Sequence, residues 1–332
     1  MTRCVGGIVA AVSRRCLLAR QGCRFPTMPG GTTVKVFVAG ATGVLGHRTV
    51  TSLLAAGAQV SAIARTPEKA ARLDRQGATP AEVSLFDRDA LSAAVAGHDV
   101  VVNLATAIPT GQRANDLAAW DENDRIRREG SRNLVDAALD AGAGRYVQES
   151  LALLYADGGD AWLDESAPVD PTVITACALA AEAEAARFTA VGGGESVALR
   201  FAYLYGHDSA HTVEAVAAAR AGAPYEVGPP DAFRPVVTND DAAAAVVAAL
   251  DAPGGLYNVA DDEPLRRSEH AEVVARALGV PTVPPLDVEM PPSASMLIRS
   301  QRVSSARFRD ATGWRPRHPS AREGWPAVLA AL

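Results

Sequence analysis

Apolar residues recur along the chain in two alternating rhythms. Val34 to Val38 (VKVFV) is a short β-branched run of the kind buried on both faces of a sheet. Thr49 to Ala56 follows with helical spacing, and Gly57 ends it. The alternation continues with a strand over Gln59 to Ala64, a helix over Glu68 to Gln76 and a third strand over Glu82 to Leu85. A helix over Arg88 to Ala96 and a strand over Asp99 to Leu104 come next. The spacing then predicts one long helix over Asn123 to Ala141 and a fifth strand over Arg145 to Glu149, and the rhythm resumes at Ser196 to Phe201 and Leu256 to Val259. Such alternation implies parallel strands joined by right-handed crossovers, hence an α/β, doubly wound parallel sheet of Rossmann type.

The turn between the first strand and its helix carries the strongest chemical signal. It reads Gly40-Ala-Thr42-Gly43-Val44-Leu45-Gly46 and opens into the helix at His47. Gly40 permits a tight turn, Gly43 lets backbone approach a pyrophosphate, and Gly46 lets helix press on strand. The helix N-terminus offers free N–H groups and a positive dipole end to phosphates. A glycine triplet alone is weak, because turns collect glycine; placed inside a βαβ unit, it predicts a dinucleotide site. Arg65 ends the second strand, where a carboxylate would receive the ribose hydroxyls of NAD. An arginine there instead suits the 2′-phosphate of NADP, with NAD the alternative cofactor and a solvated surface arginine the bland reading. Lys69 adds a second positive charge nearby.

Composition narrows the classes without choosing among them. A net charge of -6 gives no general electrostatic reason to bind nucleic acid. The longest apolar stretches, such as Ala242 to Leu250, fall short of the roughly 20 residues of a membrane span. Cys177 stands alone after Cys4, Cys16 and Cys23, so the body of the chain carries no internal disulfide, which fits a reducing, cytoplasmic setting. Residues 1–33 hold five arginines and no acid. They read as an unstructured extension, or as the result of an upstream start when Met28 is the real one, with a transit peptide as the alternative.

Taken together, these residues resemble the extended short-chain dehydrogenase/reductases, in their NAD(P)-dependent epimerase/dehydratase branch. The resemblance runs from Val34 to the C-terminus. It rests on the Gly40-Gly43-Gly46 turn, Asp87, Asn103-Leu-Ala-Thr106, Gln148 to Tyr155, Leu199 to Gly206, Arg234 to Asp241, Gly255 to Val259 and Gly313-Trp-Arg-Pro316. It implies that Asp87 approaches the adenine amino group and that Ala105, Thr106 and Ala107 border the nicotinamide half. It also implies a Rossmann domain over 34–205, completed by 233–260, and a smaller C-terminal substrate lobe from 206–232 and 261–332. A small-molecule or sugar-like substrate and a homodimer are the partners it suggests.

The departure from the family concerns chemistry. Its members use a Ser or Thr, a Tyr and a Lys four residues later, the phenol exchanging a proton with the substrate oxygen. Here the matching helix reads Ile174-Thr-Ala-Cys-Ala178, and Leu151 falls at the Ser/Thr position beside Ser150. A shift of register to Glu184 places Ala176 and Ala180 there instead. Candidate replacements are Glu149 and Ser150 at the end of the fifth strand, Tyr203, and His207. Their bland roles are a loop cap for Glu149 and core packing for Tyr203; Tyr155 is expected to pack. His207, His211 and Glu214 have a spacing that would place them on one helical face, as a metal site requires, but no metal is expected. The expectation is an atypical oxidoreductase. Its rivals are a non-redox lyase or isomerase and a non-catalytic NADP-binding sensor or scaffold.

Overall fold

The computed structural model describes residues 33–192 and 194–332. The expectations for residues 1–32 lie outside the described residues. Strands β1 (Lys35–Ala39), β2 (Gln59–Ile63), β3 (Thr79–Ala81), β4 (Val100–Asn103) and β5 (Arg145–Leu151) alternate with helices α1 (Gly46–Ala55), α2 (Pro67–Gln76), α3 (Arg88–Val95), α4 (Asp121–Arg125) and α5 (Ser131–Asp140). There follow β6 (Trp162–Leu163), α6 (Ala176–Gly192), β7 (Glu195–Phe201), β8 (Tyr203–Tyr205) and α7 (Ala210–Arg220). Next come β9 (Phe233–Arg234), β10 (Val236–Thr238), α8 (Asn239–Ala248), β11 (Gly255–Val259), β12 (Leu265–Arg266) and α9 (Arg267–Leu278). The C-terminal elements are β13 (Arg302–Val303), α10 (Ala306–Thr312) and α11 (Ala321–Leu329).

Seven strands form one sheet in the order β11-β7-β5-β4-β1-β2-β3, every neighbouring pair parallel. The chain walks outward one way from β1 to β3 and the other way from β4 onward. The reversal leaves a crevice beyond the carboxyl ends of β1 and β4, where open α/β sheets bind ligands. Side-chain alternation within β1 explains the two layers. Val36 and Val38 join α1 and α8 through Leu53 and Val246, while Phe37 and Ala39 join α3, α5 and α6 through Leu91, Leu134 and Phe188. Each of the buried Val, Leu and Phe side chains among these contributes about 1.5–3 kcal/mol. A third cluster lies beyond the sheet, where Tyr205, Val216, Val236, Val274 and Trp325 join β8, β10, α7, α9 and α11.

Two expected elements are corrected. The third strand is Thr79–Ala81, not Glu82 to Leu85: the pairing with β2 runs from Ser61 opposite Thr79 to Ile63 opposite Ala81. Past Ala81 the backbone turns, with Phe86 N donating to Ser84 Oγ at 3.2 Å. Val83 and Leu85 are nonetheless buried, as loop side chains under α5. Their apolar spacing therefore marks packing rather than pairing. The long helix expected over Asn123 to Ala141 is interrupted by a π-helical turn at Ile126–Gly130. That wider turn carries Arg127 inward, a feature often associated with functional sites.

Candidate active site

The β1–α1 turn is shaped by contacts that admit no side chain. Gly40 has φ +82°, and a Cβ on it would lie 2.4 Å from the Leu104 carbonyl carbon. A Cβ on Gly46 would lie 2.0 Å from Gly40 O, so α1 can meet β1 only through glycine. Gly43 differs, because a Cβ there would meet only Gly40 O, at 3.5 Å. Its constraint comes from the open side. Helix α1 begins with no side-chain cap and no acidic residue in its first turn, leaving its dipole end free for an anion.

A cleft of about 230 Å³ opens over this turn. Gly40, Thr42, Gly43, Arg65, Ala105 and Thr106 line it, together with Lys69, Ser84, Leu85, Phe86 and Ile126. Arg65 lies half-exposed at its edge, 3.7 Å from Glu122. Val44 and Leu45 belong to the turn without lining the cleft: Val44 O receives Arg48 Nη1 at 2.9 Å, and Leu45 is buried. Ala107 N donates to Asn123 Oδ1 at 3.1 Å, fixing the chain after β4. Asp87 lies exposed after the cleft wall, and its Oδ1 caps α3 by accepting from Ala90 N at 3.2 Å. Ser84, Leu85 and Phe86, which the apolar pattern puts in or beside a strand, form the cleft wall, and no motif in the sequence marks them for it.

The β5–α6 corner is buried and pairs charged side chains with one another. Arg127 is 1% exposed and meets Glu149, 7% exposed, with Nη2 at 2.9 and 2.8 Å from the two carboxylate oxygens. Burial pushes the Glu149 carboxyl up, and Arg127 opposes that shift. Ser150 Oγ donates to Glu182 Oε1 at 2.5 Å, and Arg200 clamps both oxygens of Glu182 at 2.8 Å. Glu149 and Ser150 therefore already have partners, as does Tyr155, which is buried and donates to Asn258 Oδ1 at 2.8 Å. Ile174 lies in the turn before α6 and Ala178 inside it, both buried. Cys177, also buried, stands 3.8 Å from Asn123 Nδ2, and burial pushes its thiol up. Arg127 gave no signal in the sequence, being one of several charged residues on a predicted helix.

Tyr203 and the histidines diverge. Tyr203 stands against His211 with ring centroids 4.7 Å apart, and His211 Nε2 contacts Leu204 O at 2.6 Å. His207 precedes α7, lies exposed, and its Nδ1 sits 3.5 Å from Arg48 on the dinucleotide side. The three residues of the His207-His211-Glu214 spacing thus do not face one another as a set, because α7 begins only at Ala210.

A parallel sheet with a switch point, a glycine turn built for close backbone approach and a cleft over an uncapped helix define a dinucleotide-binding Rossmann protein. The sequence model of the NAD dependent epimerase/dehydratase family matches residues 36–260, and the chain belongs to that family as an NAD(P)-binding oxidoreductase. Among curated relatives, the 3-diazoavenalumate denitrifying reductase of a Streptomyces species is 35% identical over 308 residues, spanning 88% of this chain and 99% of that one. A 4-hydroxy-2-methyl-3-oxo-4-farnesyl-3,4-dihydroquinoline-1-oxide ketoreductase of Stigmatella aurantiaca is 32% identical over 53% of this chain and 52% of its own length. Human epimerase family protein SDR39U1 (isoform 2), solved with NADPH, superposes with a TM-score of 0.77 at 24% identity, over 90% of this chain and all of that one. UDP-glucose 4-epimerase of Thermotoga maritima, solved with UDP-glucose, gives 0.74 at 18% identity over 90% and 98%. Those two likenesses bear on fold alone. Among the described residues no helix is long and apolar enough to cross a membrane.

Proposed function

We propose that this chain is an NADP(H)-dependent reductase delivering hydride to an electrophile that needs no proton from the protein. What supports the reading is the β5–α6 corner, where family likeness puts Leu151, Ile174 and Ala178 at the positions of the proton-handling relay, beside a dinucleotide turn whose glycines are all present. Bound NADPH supplies a hydride. In this reading Gly40, Thr42, Gly43, Val44, Leu45 and Gly46 hold the pyrophosphate through backbone and helix dipole. Arg65 and Lys69 receive the 2′-phosphate, Ser84 to Phe86 border the adenine with Asp87 capping the helix behind them, and Ala105 to Ala107 border the nicotinamide. Residues 206–232 and 261–332, around the third apolar cluster, form the substrate side. Glu149 and Ser150 position the corner through their partners, Tyr203 walls the substrate side, and His207 braces the dinucleotide helix through Arg48.

The acceptor's chemistry follows from the missing acid. Reducing a ketone adds hydride and then requires a proton on oxygen; without a positioned acid, about 10²–10⁴-fold in rate is forgone. A diazonium carbon is different. It gains the hydride pair while the carbon–nitrogen pair leaves with dinitrogen, the charges cancel, and no proton enters. The relative named a diazo-compound denitrifying reductase supports this class for the present chain. Parallel assays test it: NADPH oxidation should be brisk with an aryl diazonium acceptor, with one dinitrogen released per NADPH, and very slow with simple ketones. Brisk ketone reduction without dinitrogen release from any diazo acceptor would overturn it.

A further inference from the structure

Beyond the carboxyl ends of β7 and β8 a second cavity, of about 290 Å³, opens beside α7. Rings of Tyr203, Tyr225 and Trp325 wall it, and Arg234, Glu226 and His270 close its polar end. Glu226 is 1% exposed and is met by Arg234, by His270 Nδ1 at 2.7 Å and by Arg267 Nη1 at 3.6 Å. Trp325 Nε1 donates to His270 Nε2 at 2.9 Å. That bond makes Nε2 an acceptor and leaves Nδ1 as the ring nitrogen facing Glu226. Two buried guanidinium groups therefore face one carboxylate. Burial first, and Arg234 second, pull Arg267 down to about 10. Glu214 on the rim is exposed, so water and salt screen its charge from the interior.

Arg234 is the group with capacity to spare. Among the described residues its only hydrogen-bond acceptor is Glu226, and its guanidinium lies 4.2 Å from the Tyr203 ring centroid. The remaining N–H groups form a planar fork suited to a carboxylate. One bound monoanion would neutralise the surplus, whereas a phosphate dianion would reverse it. The volume falls at the small end of ligand pockets, and three aromatic walls favour a flat ring. The segment after β4 runs from the dinucleotide cleft, which Ala105 and Thr106 line, to Gly111, where a Cβ would lie 3.6 Å from the carboxylate of Glu214 on the rim of the second cavity.

We infer that this cavity takes a compact planar aryl carboxylate, its carboxylate on the free edge of Arg234 and its ring among Tyr203, Tyr225 and Trp325. The inference rests on the reductase reading above and names its substrate class. Calorimetry of the full chain tests it with trans-cinnamate, the uncharged cinnamamide, phenyl phosphate and UDP-glucose as probes. Cinnamate should bind at least about tenfold more tightly than cinnamamide, as a charge-assisted pair predicts, and more tightly than either phosphate compound. Arg234→Gln should erase the preference for acid over amide, with Arg234→Lys keeping part of it. Should Arg234→Gln fail to fold, Glu226→Gln carries the same test in the opposite sense, since removing that carboxylate should tighten cinnamate. Equal affinity for acid and amide, unchanged binding in these variants, or preference for UDP-glucose would overturn the assignment. Such a failure with dinitrogen release from a diazonium acceptor intact would remove only the substrate class. Tight cinnamate binding without any hydride transfer would instead remove the reductase reading.

Discussion

The β1–α1 turn and the β5–α6 corner border the same edge of one sheet, yet different forces shape them. In the turn, backbone meets backbone so closely that Gly40 and Gly46 admit no Cβ, and the free helix end is left for a ligand. In the corner, side chains do the work: Arg127 pairs with Glu149, and Ser150 and Arg200 with Glu182, although Arg127 Nε and Nη1 have no hydrogen-bond partner. Carboxylates and hydroxyls already engaged with buried partners are poorly placed to move a substrate's proton. A site whose donors point outward is preorganised for an anion. Under the proposed function, the contrast is how one fold would keep its cofactor cradle while its proton chemistry is replaced.

Breaking the corner should have the largest effect. Arg127→Ala leaves Glu149 buried and uncompensated, which should cost about 3–5 kcal/mol in denaturant unfolding. Replacing both partners, Arg127→Met with Glu149→Leu, should recover most of that loss. If the single and double variants were equally unstable, the ion pair would not be what holds the corner.

Cofactor choice comes next. Arg65→Asp should reduce the preference for NADPH over NADH by about 1.5–3 kcal/mol, read as a ratio of dissociation constants. Equal affinity of the unmutated protein for both cofactors would remove Arg65 from that role. The turn itself separates folding from binding. Gly46→Ala should lower stability by about 1–3 kcal/mol through overpacking. Gly43→Ala should leave the melting temperature unchanged and weaken NADPH roughly tenfold, a difference of about 1.4 kcal/mol.

The smallest expected effect is a pH dependence in the same turn. His47 Nδ1 donates to Gly43 O at 3.0 Å, and Nε2 accepts from Arg48 Nη1 at 3.1 Å, so the ring is neutral. Burial lowers its pKa below the usual histidine value of 6.5. The unfolded chain therefore takes up the proton first as pH falls. The contribution of His47 to stability is present above pH 6.5 and is lost as pH drops below it toward the lowered folded value. Melting temperature should decline modestly from pH 7.5 to 5.5, and the decline should shrink in His47→Gln.

Legibility in the sequence followed the physics of each region. The glycine turn could be read because glycine is the only residue that meets its backbone demands, and the strands could be read because β-branched runs mark a sheet buried on both faces. Val83 and Leu85 misled because loop burial and strand burial leave the same apolar spacing. Asp87 was placed near adenine by family likeness, while locally it is a good N-cap and serves as one. Arg127 was illegible because a π-helical turn alone brings it inward, and no residue pattern announced that turn. Tyr203 was singled out, but its partner Arg234 was seen only as part of a family motif. The cluster assembles from four distant segments, those carrying Glu226, Arg234, Arg267 and His270, and Trp325.

The central claim is hydride transfer without a protein acid, and an isotope experiment addresses it most directly. NADPH with both C4 hydrogens replaced by deuterium is incubated with the protein and 4-carboxybenzenediazonium in ordinary water, and the benzoate formed is analysed by mass spectrometry. The account predicts one deuterium at the former diazonium carbon, one dinitrogen per NADPH consumed, and a rate without the falling limb of an enzyme acid titrating at high pH. Benzoate lacking deuterium, or deuterium delivered instead to a simple ketone at comparable rate, would contradict it.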